Sequence, residues 1–154
     1  MHPSFRWLTE SVYSEIKKAS GLLGQIRGYL PNRWPAWFDP KPLDLASEAF
    51  GPFAACKRLT ASGDVVAVAT PGHTADHVSI VVQDGSTTFL LAGDASYDDR
   101  LLLDGVSADD RVALATLDAI KQLARSGPTV YLPAHDPLAA VRLREHVVLS
   151  PILA

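Results

Sequence analysis

The chain has 154 residues, 47% hydrophobic and 20% charged, with a net charge of −3 from 14 basic and 17 acidic side chains. This length predicts a single domain over 1–154, and the composition excludes disorder for the bulk of it. No cationic block exists to neutralise a phosphate backbone, which argues against nucleic acid as a partner. No apolar run approaches the ~20 residues that span a bilayer, which argues against a membrane, and residues 1–8 carry no apolar stretch of a secretory signal. The single cysteine, Cys56, excludes an internal disulfide and a cysteine-rich zinc module and reads as a small buried hydrophobe. These features predict a soluble, cytoplasmic α/β (α+β) protein.

Residues 1–30 predict a long helical segment. Trp7, Leu8, Val12, Ile16, Ala19, Leu22, Leu23 and Ile26 recur at three- and four-residue steps, and Gly21, Gly24 and Gly28 weaken its second half. Residues 31–55 are rich in proline and aromatics, which forbids a regular helix or central strand. They predict a structured loop packed through Trp34, Trp37 and Phe38, either as filler under the core or as a substrate-pocket wall. Residues 56–154 are β-rich at first. Runs at 65–69, 78–82 and 87–91 are β-branched or aromatic, and Asp84-Gly85 signals a hairpin between the last two. A helix is expected over 108–125, capped by Ser107, with Val112, Leu114, Ala115, Leu117, Ile120 and Leu123 on its apolar side and Gly127-Pro128 as its stop. A short buried strand at 129–132 follows, then a final helix from Pro137 carrying Leu138, Val141 and Leu143.

Of the five histidines, two stand in unusual settings. His73 lies in Thr70-Pro71-Gly72-His73-Thr74, just after a predicted strand, and His135 lies in Leu132-Pro133-Ala134-His135-Asp136, also just after one. Between them Gly93-Asp94-Ala95 follows the run at 89–92. Three metal-ligand residue types thus each follow a strand, where rigid scaffolds present catalytic groups. Two imidazoles and a carboxylate suit zinc, iron(II) or manganese and leave positions for water and substrate.

Taken together, the stretches 70–79, 91–97 (Leu91-Ala92-Gly93-Asp94-Ala95-Ser96-Tyr97) and 132–136 resemble the metallo-β-lactamase superfamily, and within it the N-acyl homoserine lactonase-like hydrolases. The resemblance runs in order over about residues 65–140. It implies half of an αββα sandwich, a mixed sheet with helices on one face. It also implies metal ligation by His73, Asp94 and His135, with Asp94 in the family's bridging position. Tyr97 would contact the substrate carbonyl or leaving oxygen, and His77, Asp76 and Asp136 would orient ligands, Asp76 or Asp136 also accepting a proton. The family's upstream His-x-His-x-Asp-His motif is absent: before His73 the only histidine is His2. The chain therefore resembles the C-terminal lobe alone, either a truncated fragment or a minimal protein with a site rebuilt from fewer ligands.

Two functions follow. The first is a metal-dependent hydrolase, with one ion per chain, zinc ahead of manganese or iron, whose bound hydroxide attacks a small-molecule lactone, aryl ester or phosphotriester. The second is a catalytically inactive lobe serving as a binding or assembly module. Because the strands at 65–69 and 78–82 are apolar at nearly every position, a sheet buried on both faces is expected, and with it a homodimer or higher homo-oligomer.

Overall fold

The computed structural model describes residues 7–9, 41–45, 48–96 and 111–150. The chain divides into two compact units, Met1–Asp44 and Leu45–Ala154. In the first, β1 (Trp7–Thr9) pairs in parallel with β2 (Lys41–Leu43). Residues 7–9 are therefore strand, not the start of a long helix. Trp and Thr favour extended backbone, and pairing with β2 outweighs the helical spacing of the apolar residues. The remainder of the expected helix lies outside the described residues. The expected loop at 31–55 likewise contributes a strand at 41–43.

The second unit is built on one mixed sheet of five strands, β3 (Cys56–Arg58), β4 (Val65–Ala69), β5 (Val78–Asp84), β6 (Thr87–Gly93) and β7 (Thr129–Pro133), in that spatial order. The first three pairings are antiparallel. β6 and β7 are parallel, so the chain must cross back between them, and the crossover carries α1 (Arg111–Ser126). The short helix α2 (Ala139–Glu145) follows β7.

The core forms between one sheet face and α1. Val66, Val81, Leu90 and Tyr131 stand in register across four strands, all fully buried. Leu117, Ile120, Leu123 and Ala124 of α1 pack on them, with Phe53, Cys56 and Leu149 closing the cluster. Burial pushes the Cys56 thiol up from its usual range.

Two helix faces differ from expectation. The buried stripe of α1 is Ala113, Thr116, Leu117, Ile120, Leu123 and Ala124, a proper three- and four-residue progression. Val112 and Leu114 are exposed instead. Small residues replace large ones at the start of the stripe because the 71–72 loop packs against the helix there. At α2, Leu138 just before the helix and Leu143 within it are exposed, and the buried side chain is Arg142, held by an ion pair with Asp136. Charge pairing, not apolar spacing, sets that helix's rotation.

The opposite sheet face is apolar too. On this face β4 is covered, with Ala67 fully buried, but Leu91 of β6 is 44% exposed and Leu143 of α2 49%. With Val82, Phe89 and Leu132 they line a groove of about 440 Å³. Among the described residues no helix is long and apolar enough to cross a membrane.

The phase of α1 is testable by urea unfolding. Leu117→Ala should cost about 2–5 kcal/mol through the cavity it leaves. Leu114→Ala should stay within about 0.5 kcal/mol. Equal losses would overturn the assignment.

Candidate metal centre

Strand direction gathers the site. β4 and β6 both run antiparallel to β5, and β7 runs parallel to β6, so the C-terminal ends of β4, β6 and β7 lie on one sheet edge with the start of β5. His73 follows β4, His77 precedes β5, Asp94 follows β6 and His135 lies two residues beyond β7. Residues far apart in sequence therefore meet.

Asp94 is the meeting point. His135 Nε2 lies 3.0 Å from Asp94 Oδ1, and His73 Nε2 lies 3.7 Å from Asp94 Oδ2. The side chains are open to solvent, 61% exposed for His135, 49% for His73 and 36% for Asp94, so an ion and a substrate can reach them. Asp94 Oδ1 itself is buried and accepts no hydrogen bond, even with the His135 nitrogen so near. A buried carboxylate oxygen without a donor is costly, and a cation is one way to satisfy it. Two donors bound to a tetrahedral zinc stand roughly 3.3 Å apart, a figure that the two separations bracket. The donor set thus fits a transition metal in its chemistry. Each imidazole faces its own carboxylate oxygen, however, and no group of three His, Cys, Asp or Glu among the described residues is arranged to hold a metal ion.

His77 is a support, with both ring nitrogens engaged. The Asp94 backbone N–H donates to Nε2 at 3.2 Å, so the ring proton sits on Nδ1, 3.1 Å from the Thr70 carbonyl and 2.8 Å from the Thr70 hydroxyl. Burial holds the His77 pKa below its ordinary value, with the His73 ring adding to the effect, although the Thr70 carbonyl works the other way. The neutral ring is what that hydrogen-bond pattern requires. Behind it, the Thr70 hydroxyl meets Ser79 Oγ at 2.8 Å, and Ser79 donates to the Ala92 carbonyl. Thr70 and Ser79 are almost wholly buried, so this chain ties the ends of β4, β5 and β6 together without water. Gly93 makes room for it. Its φ is +56°, and a Cβ there would lie 2.9 Å from His77 Nε2.

Asp136 does not turn toward Asp94. Its carboxylate pairs with Arg142 through Oδ2 and accepts the Leu138 N–H through Oδ1 at 2.7 Å. Arg142 also donates to the Tyr131 carbonyl on β7, and the Tyr131 hydroxyl meets Ser96 Oγ at 2.7 Å. Asp136 therefore fixes the loop carrying His135. Asp76 lies half-buried in the turn before His77, and its charge raises the His77 pKa slightly. Tyr97, Trp34, Trp37 and Phe38 lie outside the described residues. The sequence reading missed Arg142 and Thr116 as supports. Both sit in helices whose apolar residues dominate the pattern, and only the fold brings them to the loops they hold.

The family model of the metallo-β-lactamase superfamily matches residues 57–135, from the second residue of β3 to His135 itself. Among solved structures, the chain is similar to an N-acyl homoserine lactone hydrolase with the product N-hexanoyl-L-homoserine bound at its catalytic metal center, at 17% identity and a TM-score of 0.58. It is similar also to a variant of B. thuringiensis AiiA with N-decanoyl-L-homoserine bound at the active site, at 18% identity and the same TM-score of 0.58. Each comparison covers 94% of this chain and 50% of the other, so the chain spans about half the length of these structures. At such identities the likeness is one of fold. Against curated proteins the sequence has no match.

The His77 support makes Gly93 sensitive. Gly93→Ala should cost on the order of 1–3 kcal/mol, from a side chain forced into left-handed backbone and from contact with the His77 ring. Urea midpoints measure it; an unchanged midpoint would show that the turn accommodates a Cβ.

Proposed function

Because the chain belongs to the metallo-β-lactamase superfamily, we propose that it is a metal-dependent hydrolase of small-molecule ester-type bonds. The observation that carries this reading is the Asp94 carboxylate between two exposed histidines, with one buried oxygen lacking a hydrogen-bond donor. His73, Asp94 and His135 would hold one ion per chain, zinc ahead of manganese or iron. Such an ion supplies Lewis acidity and makes bound water more acidic.

The protein's own residues do the rest. His77 holds the Asp94 backbone in place and, being neutral, adds no positive charge to repel a cation. Asp136 and Arg142 hold the His135 loop. Tyr97, three residues past Asp94, is proposed to donate a hydrogen bond to the oxygen that gains charge as the ester bond breaks. Trp34, Trp37 and Phe38 are proposed to wall the substrate. Lactones head the substrate list because the two solved structures hold N-acyl homoserines; aryl esters and phosphotriesters follow.

A second reading has an observation in its favour. The sequence lacks the family's upstream His-x-His-x-Asp-His motif, with His2 the only histidine before His73, which favours an inactive lobe that binds or assembles. Metal analysis after dialysis separates the two. The hydrolase reading expects one transition-metal ion per chain, lost with most activity in His135→Ala; no bound metal in the parent protein would sink it. Tyr97→Phe should lower turnover by about 10²-fold and leave the metal in place.

The half-open sheet face supports a homodimer. Apolar surface of this kind is seldom left bare in a soluble monomer, and a two-fold pair is the commonest way to cover it. Light scattering after size exclusion should give twice the 16.5 kDa chain mass. A folded species at the chain mass would refute the dimer.

A further inference from the structure

The helix α1 faces the core along most of its length, but its first turns meet the loop that carries His73. Thr116 is buried, and its hydroxyl donates to the Pro71 carbonyl, 45 residues away in sequence. A threonine inside a helix ordinarily turns its hydroxyl back to a carbonyl of the preceding turn. Here it serves a different element.

One turn earlier, Ala113 sets a second contact. Gly72 has φ +148°, and a Cβ on it would lie 2.8 Å from both Cα and Cβ of Ala113. The 71–72 backbone therefore lies directly against the helix, with no room for a side chain between them. Gly72 N–H closes the turn by donating to the Thr74 carbonyl, and His73 stands between these two residues. Its ring is half exposed, with Asp94 Oδ2 3.7 Å from Nε2 and the His77 ring edge-on at a centroid distance of 6.1 Å. The ring has little of its own to fix its place, so its position is set through the backbone.

We propose that Thr116, with Ala113, is the positioning residue for His73. The hydroxyl anchors the Pro71 carbonyl, Ala113 limits how far Gly72 can approach, and His73 Nε2 is thereby aimed at Asp94. Asp94 is held by His77, which closes the loop carrying His73 through Thr70 and Thr74, and His135 by the Arg142 clamp. Each of the three residues thus has a support, and α1 supplies one for His73. The consequence for metal affinity rests on the hydrolase reading; the positioning itself does not.

The test uses the full chain and three variants. Thr116→Val keeps the shape and loses the hydroxyl, Thr116→Ser keeps the hydroxyl, and Thr116→Ala loses it while favouring the helix, so a folded variant is available even if valine fails. In ¹H–¹⁵N spectra without added metal, Val and Ala should shift the His73 ring and the 72–74 amides, and Ser should leave them near the parent. Unmoved His73 signals in the Val or Ala variant would overturn the proposal, as would a Ser variant that shifts as they do. Zinc titration then reads the consequence. Val and Ala should weaken binding about tenfold, with Ser close to the parent. If the parent binds no zinc, the hydrolase reading falls and the spectra alone decide the role of Thr116.

Discussion

The site depends on strand direction more than on any side chain. Three strands of one sheet run the same way, with β5 running against them, and this brings four strand ends to one edge. A ladder of backbone hydrogen bonds fixes those ends, so Asp94 and His135, one and two positions past them, inherit that placement. The constraint also explains why the groups at the edge are so unlike their neighbours. A few residues down each strand the side chains are valine, leucine and tyrosine in a dry core; at the edge they are imidazole and carboxylate in water.

Exposed side chains need fixed backbones if they are to meet with any regularity. Here the fixing is done by buried polar groups one layer in. His77 holds the Asp94 amide, Thr70 and Ser79 join β4, β5 and β6, and Arg142 with Asp136 holds the turn after β7. The Thr70–Ser79–Ala92 bonds and the Arg142–Asp136 pair are buried, so a lost partner there would leave a buried polar group unsatisfied, which is why such networks are rigid. Arg142 shows the cost of the arrangement. With Arg142 turned inward to Asp136, Leu143 of its short helix and Leu138 just before it are left exposed.

The three strand-end residues and the hairpin were legible in the sequence because each is a local signal: a turn residue, a β-branched run, a ligand type just after it. The family was legible for the same reason, since its motifs are contiguous. The rotation of α1 was legible at Leu117, Ile120 and Leu123, which are buried, but not in its first turn. Val112 and Leu114 are more hydrophobic than Ala113 and Thr116, so pattern reading favours them, but Gly72 lies directly against Ala113 and the Pro71 carbonyl takes the Thr116 hydroxyl. The strand at 7–9 escaped for a related reason, since its partner is 34 residues away and a spacing of apolar residues says nothing about what a segment pairs with. In each miss a long-range contact outweighed a local preference.

The two faces of the sheet bear on the site differently. One face is filled by α1, and the same helix supports the His73 loop, so core packing and site geometry are coupled there: what moves the helix moves Pro71. The other face is half open along β5, β6 and β7. Phe89 and Leu91 on that face belong to the strand that leads to Asp94, and Leu132 to the strand that leads to His135. Whatever covers this face packs on the strands that carry two of the three candidate ligands. Burial of Leu91 and Leu132 would lower the free energy of β6 and β7 as a pair and stiffen the edge beyond them, and it would do so without contact at the site. Covering of the open face and order at the metal centre are then linked through two strands, with the linkage strongest for Asp94 and His135. It is weakest for His73, whose support comes from the opposite side of the sheet.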